Sequence, residues 1–372
     1  MAKDNIVLLG VGDIGPVHEP MGAYSTLVRP VLAGGDIRFG QCERSYSDRT
    51  VGGLSADPEF IRGNRPLKPH MISVYTDCGF DIVSLAGNHM VDYGIDTVLD
   101  TIEHFNKKGI QTVGAGRNLQ EARRPAFIEK NGVRVAFLAY CSVVIEGYEA
   151  GPNKGGIAPL RAHQSYVAVD YQAGIPPRVV TVPYEEDLAN MVEDITSAKK
   201  AADVVVLSLH WGLHFIPRMI AEYQPIVAKA AFKAGADLIL GHHAHVPKAI
   251  ENQNGKVCFY SLGNFIFSTD TSKKPTFDKF MKHMGVTPDV ADAPLCPHGK
   301  DSKHSLIAKA VLTREGVKKV SFLPLKIDKQ LRPEVLNRAD PRFDENVKFM
   351  EWVSEDYEHK FTVEGDEVVV QH

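Results

Sequence analysis

Short apolar runs that stop at glycine or at a polar residue recur along the chain. Ile6–Leu9 closes at Gly10 and Gly12, Asp81–Ala86 runs into Gly87-Asn88-His89, and Val204–Leu209 ends at His210. Asp237–Leu240 ends at Gly241 and is followed by His242, His243 and His245, while Lys256–Tyr260 leads into Ser261-Leu262-Gly263-Asn264. Runs this short, rich in β-branched residues and bounded by glycine, predict buried strands. Gly34–Gly40 is a weaker strand that delivers Gln41, Cys42 and Glu43. Between the strands, Ile95, Val98, Leu99, Ile102 and Phe105 fall at helical spacing with Gly109 as the stop. Leu188, Met191, Val192 and Ile195 mark a second helix, Ile226–Lys233 a third, and Pro69–Cys78 a short one stopped by Gly79. Strands that alternate with helices are the rhythm of an α/β sheet.

Two hairpins are predicted: Phe127–Ile128 with Val133–Tyr140, and Ser305–Thr313 with Val317–Leu325. Asn346–Tyr357 is a further helix and Glu367–Val370 a short terminal strand. Arg44–Arg65, Glu146–Pro183 and Lys273–Ser302 carry no long periodic segment and are expected to be irregular loops over the site. With no repeat and no linker in view, residues 1–372 are expected to form one domain. Its core spans about 5–267, residues 303–372 complete it, and 146–183 and 273–302 are insertions.

Composition narrows the function classes. The 372 residues are 44% hydrophobic and 24% charged with a formal net charge of −4, so there is no basic excess to bind nucleic acid. Five scattered cysteines without a CxxC spacing fit reduced thiols better than a disulfide framework. The first apolar run is too short for a membrane span and is followed by Asp13. The expectation is a soluble, cytoplasmic protein with no membrane partner, acting on a small-molecule or peptide-like substrate.

The chemistry gathers where the strands end. Asp13, Glu43, Asn88 with His89, His210, then His243 and His245 each follow a predicted strand, and in open α/β sheets the carboxyl ends of the strands line the ligand crevice. His243 and His245 are two apart, so on an extended chain their rings point the same way. Taken alone they could be a pair of hydrogen-bonded surface histidines. Taken with the others they supply the mixture of carboxylate, amide and imidazole that a pair of divalent ions needs. Trp211 and His214 are candidates for orienting these ligands, although Trp211 is equally plausible as core. His283 and His298 lie in an insertion that could line the site.

The ordered set Gly12-Asp13, Glu43, Gly87-Asn88-His89, His210-Trp211-Gly212, Gly241-His242-His243-Ala244-His245 and Ser261-Leu262-Gly263-Asn264-Phe265 resembles the CapA-like branch of the calcineurin-like metallophosphoesterase superfamily, the capsule or poly-γ-glutamate synthesis proteins. The resemblance implies a four-layer αββα sandwich with a dinuclear site at the strand ends. It implies that Asp13 and His245 serve one ion, that Asn88, His210 and His243 serve the other, and that Glu43 bridges both. His89 would then donate a proton, oriented by Asp92. Where the superfamily has Asp-x-His, this chain has Gly15, which leaves the first ion one imidazole short.

Two divalent ions (manganese, iron or zinc, with manganese preferred) imply a bridging hydroxide and hydrolysis of an ester, amide or phosphoester. Proton abstraction next to a metal-bound carbonyl, giving epimerisation, is the alternative. A non-catalytic accessory role in polymer synthesis is a third. Arg44 and Arg49, with Arg62 and Arg65, are candidates to clamp an anionic substrate by bidentate hydrogen bonds.

Overall fold

The computed structural model describes residues 5–50, 66–269, 274–290, 295–296 and 298–371. Two large sheets lie face to face. In the first, Ile6–Gly15 is central, paired in parallel with Ile37–Cys42 and with Asn264–Phe267; Ile82–Ser84 and Gln111–Val113 continue the parallel order. On its other side the antiparallel hairpin His304–Thr313/Gly316–Ile327 extends the same sheet. In the second sheet, Val133–Cys141, Val204–His210, Leu238–His242 and Lys256–Phe259 run parallel, flanked by antiparallel Ala126–Lys130 and Ile250–Gln253.

Every residue of Val204–His210 and Leu238–His242 is buried, which explains why these strands read as unbroken apolar runs rather than alternating ones. Between the sheets, Phe39 stacks on Phe137 with ring centroids 5.7 Å apart. Outside the second sheet, helices Glu185–Lys199 and Tyr223–Ala234 bury Met191, Ile195, Val227 and Ala231 against Val205, Leu207 and Ile239. Outside the first, Ser73–Cys78, Ile95–Lys107 and Pro341–Ser354 bury Val74, Tyr75, Val98, Phe105, Phe343 and Met350. The result is the αββα sandwich.

Three expectations are corrected. The insertion 146–183 holds an exposed hairpin, Ala162–Val167 with Arg178–Pro183; it shows no buried face, so no alternation marked it. The insertion 273–302 contains the helix Lys274–His283. The strands Ile250–Gln253 and Asn264–Phe267 were not anticipated, because one is a short edge strand and the other sits inside the Ser-Leu-Gly-Asn-Phe motif. No helix among the described residues is long and apolar enough to cross a membrane.

Candidate metal centre

Two glycines let the strands converge tightly enough to build the site. A Cβ on Gly12 would sit 2.0 Å from the Gly263 carbonyl oxygen, and one on Gly241 would sit 2.2 Å from that of Tyr260. No larger residue fits either place. Asp13 follows directly, its backbone N–H donating to the Gly263 carbonyl at 3.0 Å. It is fully buried, as are His210 and His242, and Glu43 is 1% exposed.

Donor atoms of Asp13, Glu43 and His210 all lie within 4.8 Å of one another. His210 Nδ1 is 3.9 Å from Glu43 Oε2, and His245 places Nε2 3.9 Å from Glu43 Oε1 and Nδ1 3.4 Å from Asp13 Oδ2. On its other edge, His210 Nε2 lies 2.8 Å from Asn88 Oδ1 and 3.2 Å from His243 Nδ1. All six residues named from the strand ends therefore meet in one buried place. Asp13 Oδ1 and His210 Nδ1 have no hydrogen-bond partner among the described residues.

Electrostatics agrees with a site built around positive charge. Burial pushes the Asp13 carboxyl up to about 8, against the pull of the His243 backbone N–H. Burial holds His210 and His243 well below the ordinary imidazole range, reinforced by the neighbouring imidazoles. These rings are neutral at physiological pH, the form that ligates metals. The donor set fits a divalent cation: oxygen and imidazole nitrogen, buried, with unmet acceptor capacity.

The expected reason for the convergence of His243 and His245 does not hold. The strand ends at His242, and both following histidines take left-handed backbone angles, with φ of 88° and 57°. A turn, and not strand alternation, aims them. His245 is then fixed by Asn264, whose Oδ1 lies 2.8 Å from Nδ1 and whose Nδ2 donates to the His245 carbonyl at 3.3 Å.

His89 places Nδ1 2.9 Å from Asp92 Oδ2, and the Tyr148 hydroxyl donates to Asp92 Oδ1 at 3.2 Å. Trp211 turns away, donating to the Tyr260 carbonyl at 2.9 Å inside the second core. His214 instead lies against His243, with ring centroids 3.9 Å apart and planes tilted by 42°. Its loop is pinned by fully buried Lys248, which donates to the carbonyls of Ile216 at 2.7 Å and Met219 at 2.5 Å. His298 packs against His245 with centroids 5.1 Å apart, whereas His283 is exposed.

The four arginines separate. Arg44 is buried beside Glu43, with its guanidinium 5.2 Å above the Phe267 ring. Arg49 departs from the expected substrate role: its guanidinium is committed to Asp100 at 2.8 Å and Asp96 at 3.3 Å on the outer helix. Arg62 and Arg65 lie outside the described residues. A Cβ at Gly15 would meet Glu43 Cβ at 3.0 Å, and Arg44 Cγ and Phe267 Cε2 at 3.3 Å. Those side chains stand where a larger residue would go.

Residues 17–269 match the family described as bacterial capsule synthesis protein PGA_cap. The chain belongs to that family. The PGA biosynthesis protein CapA of Bacillus subtilis is 34% identical over 319 residues, 82% of this chain and 74% of that protein. The capsule biosynthesis protein CapA of Bacillus anthracis is 32% identical over 201 residues, 54% of this chain and 43% of that protein. A solved calcineurin-like phosphoesterase from Bacillus subtilis overlays loosely, with a TM-score of 0.36 and 14% identity over 89% of this chain and 88% of that one.

Proposed function

We propose that this member of the capsule synthesis family is a metal-dependent hydrolase that cleaves an ester, amide or phosphoester of an anionic substrate. The observation that carries the reading is the buried meeting of Asp13, Glu43 and His210 donor atoms within 4.8 Å. A carboxyl oxygen buried away from water without a partner costs free energy that a bound cation relieves.

On this reading Asp13 and His245 would hold one divalent ion, Asn88, His210 and His243 would hold a second, and Glu43 would serve both. Manganese, iron and zinc all suit such mixed oxygen and nitrogen donors. When bound, ions of this kind acidify water and polarise a carbonyl or phosphoryl oxygen. The chain itself supplies the proton inventory. Asp92 accepts from His89 Nδ1, so Nε2 is the nitrogen that passes a proton to the leaving group. Tyr148, bonded to the other Asp92 oxygen, keeps that carboxylate from swinging away.

Metal content of the purified protein, with turnover of a panel of esters, amides and phosphoesters in deuterated water, tests the reading. Two divalent ions per chain and cleaved fragments support it. An intact product carrying solvent deuterium replaces hydrolysis with epimerisation. Bound metal with neither product points to the accessory role in polymer synthesis that the relatives' names also suit.

A further inference from the structure

Several arginines among the described residues offer the same edge of the guanidinium, Nε with Nη2, to a carboxylate. Arg49 takes Asp100 at 2.8 and 3.1 Å, Arg123 takes Asp194 at 2.7 and 2.9 Å, and Arg161 takes Asp187 at 2.8 and 2.8 Å. That edge presents two parallel N–H groups and fits the two oxygens of a carboxylate. Arg44 is only 6% exposed, yet its Nε and Nη2 meet no hydrogen-bond partner among the described residues. A guanidinium cannot shed its charge, so burying this edge unmet is costly unless an anion completes it.

The edge also lies beside the candidate metal centre. The Arg44 guanidinium sits over Phe267, and the same ring lies 4.5 Å from the His245 imidazole, centroid to centroid. Arg44 Cγ and Glu43 Cβ both pack against Gly15, two residues from Asp13. We infer that Arg44 seats a carboxylate of the substrate, which narrows the substrate class to carboxylate-bearing compounds whose reacting group reaches the centre one aromatic ring away. This rests on the hydrolase reading for the identity of the neighbouring centre. One guanidinium balances a monoanionic carboxylate, and its two parallel N–H groups match that group's two oxygens, as the aspartate pairs above do.

The test is calorimetric binding of three probes to the metal-loaded full chain: glutarate, its neutral diamide glutaramide, and inorganic phosphate. Glutarate should bind more tightly than glutaramide. Arg44→Gln should weaken glutarate at least tenfold while glutaramide affinity and metal content stay as in the wild type, and Arg44→Lys should restore only part of the loss. Should Arg44→Gln fail to fold, a wild-type NMR titration answers the same question: one arginine Nε–H resonance must move with glutarate and stay still with glutaramide. No glutarate binding, or binding that ignores Arg44, overturns the inference. A tenfold loss for phosphate but not for glutarate overturns the carboxylate assignment. Glutarate bound through Arg44 by a chain that takes no metal sinks the hydrolase reading and leaves this subsite standing; metal with no Arg44 dependence does the reverse.

Discussion

The two ends of the parallel strands treat carboxylates in opposite ways. At the amino-terminal ends, four aspartates each stand just before a strand and close a pair of hydrogen bonds with the neighbouring strand. Asp36 accepts from the Val7 N–H at 2.8 Å, Asp81 from Arg38 at 2.8 Å, Asp203 from Arg134 at 2.7 Å and Asp237 from Val205 at 2.8 Å. Cations finish the job: Lys199 reaches Asp237 at 2.8 Å, and Arg38 reaches Asp81 at 3.1 Å. At the carboxyl ends, Asp13 has one backbone donor, and its other oxygen has no hydrogen-bond partner among the described residues. The same residue type is a structural clasp at one end and a potential ligand at the other. What separates them is whether the protein itself supplies the positive partner.

The contrast is broken most severely at Asp13. Asp13→Asn should remove at least ~100-fold of any metal-dependent activity and lower metal content, while the thermal midpoint of the chelated protein stays level or rises. The asparagine keeps an acceptor for the His243 N–H and removes a carboxyl that burial makes costly to ionise. A fall of many degrees would mean that Asp13 is a structural clasp after all.

Asp237→Ala should do the opposite. It leaves the Val205 N–H without its acceptor and takes the carboxylate from Lys199, which keeps only the Asp203 carbonyl, at a cost of about 1–3 kcal/mol in denaturant unfolding, with metal stoichiometry unchanged.

A pH series sharpens the comparison further. The Asp13 carboxyl is raised from 3.8 to about 8 in the fold, so between those values the metal-free native state binds a proton that the unfolded chain has released. Its contribution to stability is therefore complete below about 4 and is lost as pH rises through about 8. Chelated wild type should lose stability relative to Asp13→Asn across that window, by up to about 1.4 kcal/mol per pH unit. Taking the difference removes buried Lys248, lowered to about 7 by burial, which titrates in both proteins. A flat difference would show that Asp13 ionises freely in the native state.

Arg49→Ala should have the smallest effect. Its pairs with Asp96 and Asp100 are open to solvent and screened, so little or no change in the unfolding midpoint and unchanged probe binding are expected. A binding defect as large as that of Arg44→Gln would place both arginines in the site.

Much of this architecture was legible along the chain, since burial writes a local pattern. Strands buried on both faces read as apolar runs, and the stops at Gly79 and Gly109, with φ of 68° and 74°, punctuate helices where sequence alone placed them. The exposed hairpin Ala162–Val167/Arg178–Pro183 left no such pattern. Asn264, within a recognised motif, carried no signal that it would hold His245, because the partners lie 19 residues apart and meet only through packing.

By itself, the sequence determined which donor types follow which strands, and hence that oxygen and imidazole groups would collect at one edge of the sheets. Tertiary structure alone decided how they are aimed and what else they touch. His243 and His245 converge through a left-handed turn, not through strand alternation. Arg44 and Arg49, five positions apart in one loop, part company because the helix Ile95–Lys107 brings Asp96 and Asp100 to one of them, while the other is buried over Phe267 with its forked edge unmet. A side chain's chemistry is local, but its partners come from distant segments, so whether a charge is satisfied is decided only when the chain has folded.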